Sequence, residues 1–302
     1  MYTLPKNHII GMLRIVQVSL LGSILSNILL VLGCAFFAGG MTRKTQHFSA
    51  AASSVNAAVL MLCGCSLSFP MIIDLVDKDV APGVTLAISR IISIILLIVY
   101  AAYIYFQLVT HSFLYTSERI PLKGQEEDTD FRQGSEKLDD DEEEEAVLGV
   151  SGSVFWLAVI TIIISILSEY MVDSLEEAAA TWGVPDLFLG TIIIPIVGNA
   201  AEHAAAIIFA VKNKMELALG IAVGSSIQIG LFCMPSLVLT AWALDYPLSL
   251  NFGSFEATTF LMTVFIASVI IQLGQSNWMQ GLLLLAAYAS IATSFFVHVD
   301  PK

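Results

Sequence analysis

Residues 185–211 read PDLFLGTIIIPIVGNAAEHAAAIIFAV, and beyond Asp186 at their start the ionisable groups are Glu202 and His203. A run of this length and apolarity crosses a bilayer, which takes about 20 such residues. A charged group at the bilayer centre costs roughly 2.5–3.5 kcal/mol even on the mildest scale. Such a group normally faces a protein interior or a water-filled cavity and marks an ion pathway. Pro185, Gly190, Pro195 and Gly198 interrupt the same helix. Breaks at membrane depth free backbone groups that neighbours, water or a ligand must satisfy. Discontinuous helices of this kind build ion sites in transporters.

The rest of the chain agrees. Of 302 residues, 57% are hydrophobic and only 13% charged, and the mean hydropathy is +0.82. A soluble domain carries about 25% charged residues. The sequence predicts an all-α polytopic membrane protein with about eight transmembrane helices, at roughly 15–38, 50–76, 86–110, 151–172, 186–211, 215–243, 254–273 and 279–297. Continuous apolar runs exclude a barrel, which would alternate over ten-residue strands.

Three helices precede an acidic linker and five follow it. The expected division is 1–116, an incomplete first repeat; 117–148, the linker; and 149–302, a second repeat. Residues 122–145 hold twelve acids against Lys123, Arg132 and Lys137, and Asp139–Glu145 is an unbroken acidic run. Blocks of like charge repel themselves and stay solvated. The net charge of −13 therefore belongs mostly to this linker. No basic patch supports nucleic-acid binding. Cys34, Cys63, Cys65 and Cys233 all fall in apolar spans and read as buried small hydrophobes. Positive residues orient the spans. Those of the linker place it in the cytosol, and Arg43, Lys44, Lys212 and Lys214 then fall on the cytosolic side. Lys6, Arg14 and Lys78 vote the other way.

The chain also repeats itself. Gly22-Ser23 with Ser26 and Asn27 matches Gly224-Ser225 with Ser226 and Gln228. Paired halves of inverted topology are a known transporter architecture. Carried back by the same 202-residue offset, the counterpart of Glu202 falls one place before Met1. The expectation is a chain that starts just after its first ion motif.

Asn199, Glu202 and His203 are spaced i, i+3 and i+4 and share a helix face. A polar helix–helix clamp is the structural alternative to an ion site. Small residues explain Gly224, Ser225 and Ser226 by close helix approach, whereas Gln228 offers a neutral carbonyl oxygen that packing does not need. Glu169, Asp173 and Glu176 form an acidic stripe at i, i+4 and i+7. A solvated helix end accounts for the last two, while Glu169 lies deeper. A set of carboxylate, amide and hydroxyl oxygens suits Ca²⁺, which takes 6–8 oxygens, and suits a soft metal poorly. Carboxylates taken out of water hold protons more tightly, so protons compete with the cation. A site that holds one or the other is an antiporter. Intramembrane proteolysis is excluded on motif, for there is no His-Glu-x-x-His, and no enzyme activity is expected.

These residues resemble the calcium/proton exchangers of the calcium:cation antiporter superfamily. The resemblance is carried by Gly198-Asn199-Ala200-Ala201-Glu202-His203, by Lys212 to Gly220, and by Gly224-Ser225-Ser226-Ile227-Gln228. Ser168 to Ser174, Ser276-Asn277-Trp278 and the acidic linker add to it. It runs from about Gln17 to the end; residues 1–13, with Pro5, His8 and Gly11, do not continue it. The family has eleven spans and a Gly-Asn-Ala-x-Glu motif in its first repeat, which is not found here. The resemblance implies a multi-pass exchanger of the vacuolar membrane that loads Ca²⁺ from the cytosol against protons, without a cofactor. It implies cation ligation by Glu202, Asn199, Ser225, Ser226, Gln228 and Glu169, the metal carboxylates being Glu202 and Glu169. Proton coupling would fall to Glu202, Glu169 and His203; a satisfied interior histidine is the alternative for His203. From the first repeat Ser23, Ser26 and Asn27 remain. Its partners are Ca²⁺, protons and the lipid bilayer, with a homodimer as one way to complete the site. The rival reading is a non-transporting fragment or a regulatory membrane partner of a longer exchanger.

Overall fold

A computed structural model describes residues 6–76, 83–115 and 149–298. Six helical stretches are long and apolar enough to cross a membrane: Leu13–Thr42, Ala50–Val76, Val84–Thr110, Met215–Ala243, Ser254–Ile271 and Trp278–Val297. Leu189–Gly198 and Ala200–Val211 form a further span, bent by 55° at its break. Helix α5, given below, has the apolar stretch Ser151–Leu167 and continues to Trp182. Residues 173–182, between the expected spans 151–172 and 186–211, are therefore helical.

The described residues belong to two units. The smaller takes in 117–174, of which the structure describes the first part of α5 (Val150–Trp182). The larger combines 1–116 with 175–302, so the parts assigned to separate repeats share one body. The linker at 117–148 lies outside the described residues.

Within the larger unit the internal repeat is visible in the backbone. The first span runs as α1 (Lys6–Leu25), a π-helical segment Ser26–Val31, and α2 (Leu32–Thr42). Its counterpart runs as α9 (Met215–Gln228), a π-helical segment Ile229–Cys233, and α10 (Met234–Ala243). Single π turns inside α-helices are rare and concentrate at functional sites. Two at the same place in each half are hard to assign to chance. The pairing of the remaining helices respects the same twofold relation. Helix α2 packs on α12 (Trp278–Val297), and α10 packs on α4 (Val84–Tyr105). Helices α3 (Ala50–Val76) and α11 (Ser254–Ile271) pack on each other. The two repeat-bearing spans are the most enclosed of the six, 72% and 50% buried, against 17% for Val84–Thr110.

The two ends of this body are held differently. At one end a two-residue antiparallel ladder joins β1 (Gln46–His47) to β2 (Gln275–Ser276), with Gln46 opposite Ser276. Gln46 Nε2 donates to the Ala210 carbonyl (2.8 Å) and to Asn213 Oδ1 (3.2 Å). Glu216 Oε1 accepts from the Ser49 amide at 2.9 Å. Helix α12 starts from this ladder with a reciprocal cap: the Asn277 side chain accepts from the Gln280 amide and the Gln280 side chain from the Asn277 amide, both at 3.0 Å. That cap explains the Ser276-Asn277-Trp278 signature. Arg43, Lys44, Lys212 and Lys214 thus collect at one basic end. At the far end Ser89 Oγ accepts from the Leu250 amide (3.0 Å), and Asp74 joins Thr85 and Asn251. Arg14, which voted against the expected orientation, lies at the far end in an ion pair with Glu256, so its charge is compensated there.

Candidate cation-binding site

The site is built where the broken span crosses the first span. Helix α6 (Asp186–Phe188) leads into a π-helical segment Leu189–Ile193 and then α7 (Ile194–Gly198). Pro195 sits at the start of α7 and has no N–H for the Thr191 carbonyl four residues back. The ladder widens there into the π turn. The Thr191 carbonyl is turned against Gly22, where a Cβ would collide with it and with the Pro195 ring. Pro235 opens α10 directly after the second π turn in the same way. Glycine at 22 is thus required by close approach of two backbones, not by conformation.

Asn199 is the hinge of the broken span. It leaves the helical region (φ −96°, ψ 17°) between α7 and α8 (Ala200–Val211) and is 7% exposed. Its Nδ2 donates to the Ser23 carbonyl at 3.2 Å, tying the break to the first span. Glu202 occupies the first turn of α8, half-buried. A carboxylate there is favoured by the helix dipole and by unpaired backbone N–H groups. His203 places Nδ1 2.7 Å from the Asn199 carbonyl. That oxygen only accepts, so Nδ1 carries the proton and the buried Nε2 has no partner.

The serine-amide face completes the arrangement. Asn27 Nδ2 donates to Ser225 Oγ at 2.9 Å, joining the two repeats at matching depth. Ser225 Oγ in turn donates to the Ile221 carbonyl at 2.6 Å. Ser226 Oγ is fully buried and donates to the Ala222 carbonyl at 2.8 Å. Buried polar atoms are normally satisfied. Here Ser26 Oγ, Asn27 Oδ1, Thr191 Oγ1 and His203 Nε2 all lack a partner among the described residues. All four sit on elements packed around this crossing.

The structure therefore brings Asn199 together with Ser23, and Asn27 with Ser225. Glu202 and His203 follow Asn199 on the next turn. Ser226 and Ser26 sit on the adjoining helix and π turn. Gln228 is exposed at the end of α9 and shares no hydrogen bond with them. Glu169 lies on α5 in the smaller unit, and its side chain lies outside the described residues. Among the described residues no three His, Cys, Asp or Glu side chains converge. Glu202 is the anionic group of this neighbourhood, and the rest are neutral oxygens. Thr191 is a residue that spacing alone missed; the signal was Pro195 four places on, which marks the carbonyl left without its helical donor.

Comparison with known proteins identifies the family and the fold. The sequence profile of the family described as Sodium/calcium exchanger protein matches residues 8–109 and 152–297. That match starts at His8, so the family pattern reaches into residues 1–13, ahead of the expected start at Gln17. The chain is 43% identical over 298 residues to "Vacuolar cation/proton exchanger 3" of Oryza sativa subsp. japonica, covering 97% of this chain and 68% of that one. It is 45% identical over 294 residues to "Vacuolar cation/proton exchanger 5" of Arabidopsis thaliana, covering 96% and 64%. It thus spans about two thirds of the length of these relatives. Among solved structures, native YfkE superposes with a TM-score of 0.73 at 32% identity, covering 95% of this chain and 77% of that one. The H+/Ca2+ exchanger CAX shares the fold with a TM-score of 0.61 at 14% identity, covering 94% and 69%. With profile matches on both halves and helices that pair about an internal twofold, the chain belongs to the sodium/calcium exchanger protein family.

Proposed function

We propose that the protein is a secondary antiporter of the vacuolar membrane that moves Ca²⁺ out of the cytosol in exchange for protons. The observation that carries this is the crossing of two interrupted helices. It sets Glu202 on α8, which packs against the segments carrying Asn27, Ser225 and Ser226, and several buried polar atoms there have no protein partner. Hard divalent cations take such all-oxygen sets. Relatives named as cation/proton exchangers, and the 31% identical structure titled Ca2+/H+ antiporter YfkE, support the choice of cargo and counter-ion. Both are substrates, and the exchange needs no resident cofactor.

The geometry supports a division of labour. Glu202 binds the cation as carboxylate or a proton as acid, so one occupant excludes the other. Asn199, Ser225 and Ser226 contribute neutral oxygens, with Asn27, Ser26 and Ser23 from the first repeat. Gln228 offers a further neutral carbonyl oxygen from the end of α9. Glu169, on the helix after the linker, is the second carboxylate that the family resemblance names. His203 holds its proton on Nδ1 and offers Nε2 to a passing proton. The basic end faces the cytosol, as lysine and arginine bias requires, and the linker begins beyond α4 on that side. A second copy of the chain would supply further ligands.

The test is ⁴⁵Ca²⁺ uptake into sealed, acid-inside vesicles carrying the 302-residue chain. Uptake that disappears when the pH gradient is collapsed supports exchange. Well-inserted protein that takes up nothing would favour the rival reading, a membrane partner of a longer exchanger.

A further inference from the structure

Helices α4 and α12 carry a tyrosine in the same short pattern. Leu96-Leu97-Ile98-Val99-Tyr100-Ala101 on α4 matches Leu284-Leu285-Ala286-Ala287-Tyr288-Ala289 on α12. Both patterns open on a buried leucine. Each helix packs against the π-helical segment of the other half, α4 on Ile229–Cys233 and α12 on Ser26–Val31. Close approach fixes how α12 lies along α2. A Cβ at Gly281 would meet the Phe37 backbone, and one at Gly33 would meet the Leu284 and Leu285 side chains. The two helices therefore run antiparallel, and the next turn of α12 carries Tyr288 to the first π turn. Its hydroxyl lies beside Ser26 there, without hydrogen-bond geometry.

The two tyrosines end differently. Tyr100 is half-buried and stacks on Phe232 of its π segment, with ring centroids 5.3 Å apart. That contact uses the ring. Tyr288 is 5% exposed, and its hydroxyl has no hydrogen-bond partner among the described residues. Ser26 Oγ beside it and Asn27 Oδ1 on the next residue are also buried without a partner. Buried hydroxyls are normally satisfied, and a bare one costs stability. Packing alone would be served as well by phenylalanine at 288. Three bare oxygens at one interrupted turn match instead what a hard cation takes: neutral oxygens that complete the set begun by a carboxylate. Asn27 also holds Ser225 through its Nδ2, so this corner is continuous with the candidate site.

We propose that Tyr288 is a further residue of the cation path, its hydroxyl oxygen binding the cation from α12 as a pair with Ser26 Oγ. The proposal rests on the antiport reading above for the identity of the cargo.

Equilibrium binding of ⁴⁵Ca²⁺ to the purified full chain in detergent, alongside thermal unfolding, tests this without requiring transport. Tyr288→Phe removes the oxygen and keeps the ring. Binding is expected to weaken about tenfold, the size of one lost polar contact. The unfolding temperature without Ca²⁺ should stay level or rise, because a bare buried hydroxyl has been removed. A residue that only held the fold together would lower that temperature and leave binding alone. Tyr100→Phe, the matched control, should bind Ca²⁺ as the parent does. Ser26→Ala should weaken binding by itself, and the double variant with Tyr288→Phe should weaken it by less than the product of the two effects, as residues acting in contact do. Unchanged Ca²⁺ binding by folded Tyr288→Phe protein would overturn the proposal, as would fully multiplicative effects of the pair. Weakened binding in Tyr288→Phe, with a parent that binds Ca²⁺ but shows no gradient-dependent uptake in vesicles, would overturn the antiport reading and leave Tyr288 in the cation site. A parent that binds no Ca²⁺ would overturn both.

Discussion

At the scale of residues, the argument turns on Glu202 and Gly22. Glu202→Gln keeps size and one hydrogen-bonding oxygen but removes both the negative charge and the exchangeable proton. Gradient-driven ⁴⁵Ca²⁺ uptake should fall roughly 100-fold or more, an interaction difference of about 2.7 kcal/mol, with membrane insertion unchanged. Retained uptake would move the cation site elsewhere. Gly22 and Gly224 give a matched comparison. They are equivalent in sequence, but a Cβ at 22 meets the Thr191 carbonyl while one at 224 meets nothing within 4 Å. Gly22→Ala should cost about 1–3 kcal/mol, the usual penalty of overpacking, read as a lower unfolding temperature in detergent. Gly224→Ala should leave that temperature unchanged. The need for a bare Cα at 22 could not be seen in the sequence, because it comes from a carbonyl 169 positions away.

At the scale of elements, four π-helical segments lie among the described residues, over 26–31, 106–110, 189–193 and 229–233. Two of them lie directly ahead of a proline. Pro195→Ala would return an N–H to the Thr191 carbonyl and let the helix close. The expected outcome is a protein more stable by about 1–3 kcal/mol, reflecting the penalty of proline inside a helix, yet slower in exchange by roughly tenfold because the hinge at Asn199 loses its slack. Thermal unfolding and initial uptake rate, measured on the same preparation, check both halves. Faster exchange would mean that the break is not part of the transport cycle. The prolines and glycines announced an interrupted helix, and the structure places the interruption there. The π geometry was not legible, since a backbone can answer a missing donor by kinking, unwinding or widening, and the neighbouring helix decides among these.

At the scale of the whole molecule, residues 1–116 and 175–302 share one body, with α3 against α11 and the crossed pairs α2–α12 and α4–α10. The ladder of Gln46–His47 with Gln275–Ser276 locks both halves at the basic end. The acidic run Asp139–Glu145 falls in the linker, outside the described residues. Its deletion should change how exchange responds to cytosolic Ca²⁺ while the maximal uptake rate stays as it was. Complete loss of uptake would place the run on the permeation path.

Membrane class, the approximate positions of the spans, the internal repeat and the prominence of Asn199 and Glu202 were written in the sequence alone. Each is a local property: hydrophobic length, residue pattern, or the cost of a polar group in lipid. Which oxygens meet was decided only by tertiary structure. Asn27 finds Ser225 across 198 positions, Asn199 finds the Ser23 carbonyl across 176, and Arg14 finds Glu256 across 242. Gln228, which by type belonged with them, is exposed. The physical reason is that helices in a bilayer associate by close packing and interhelical hydrogen bonds, not by hydrophobic burial. Their partners are chosen by small residues and broken backbones meeting at one depth, and a linear pattern does not record that depth.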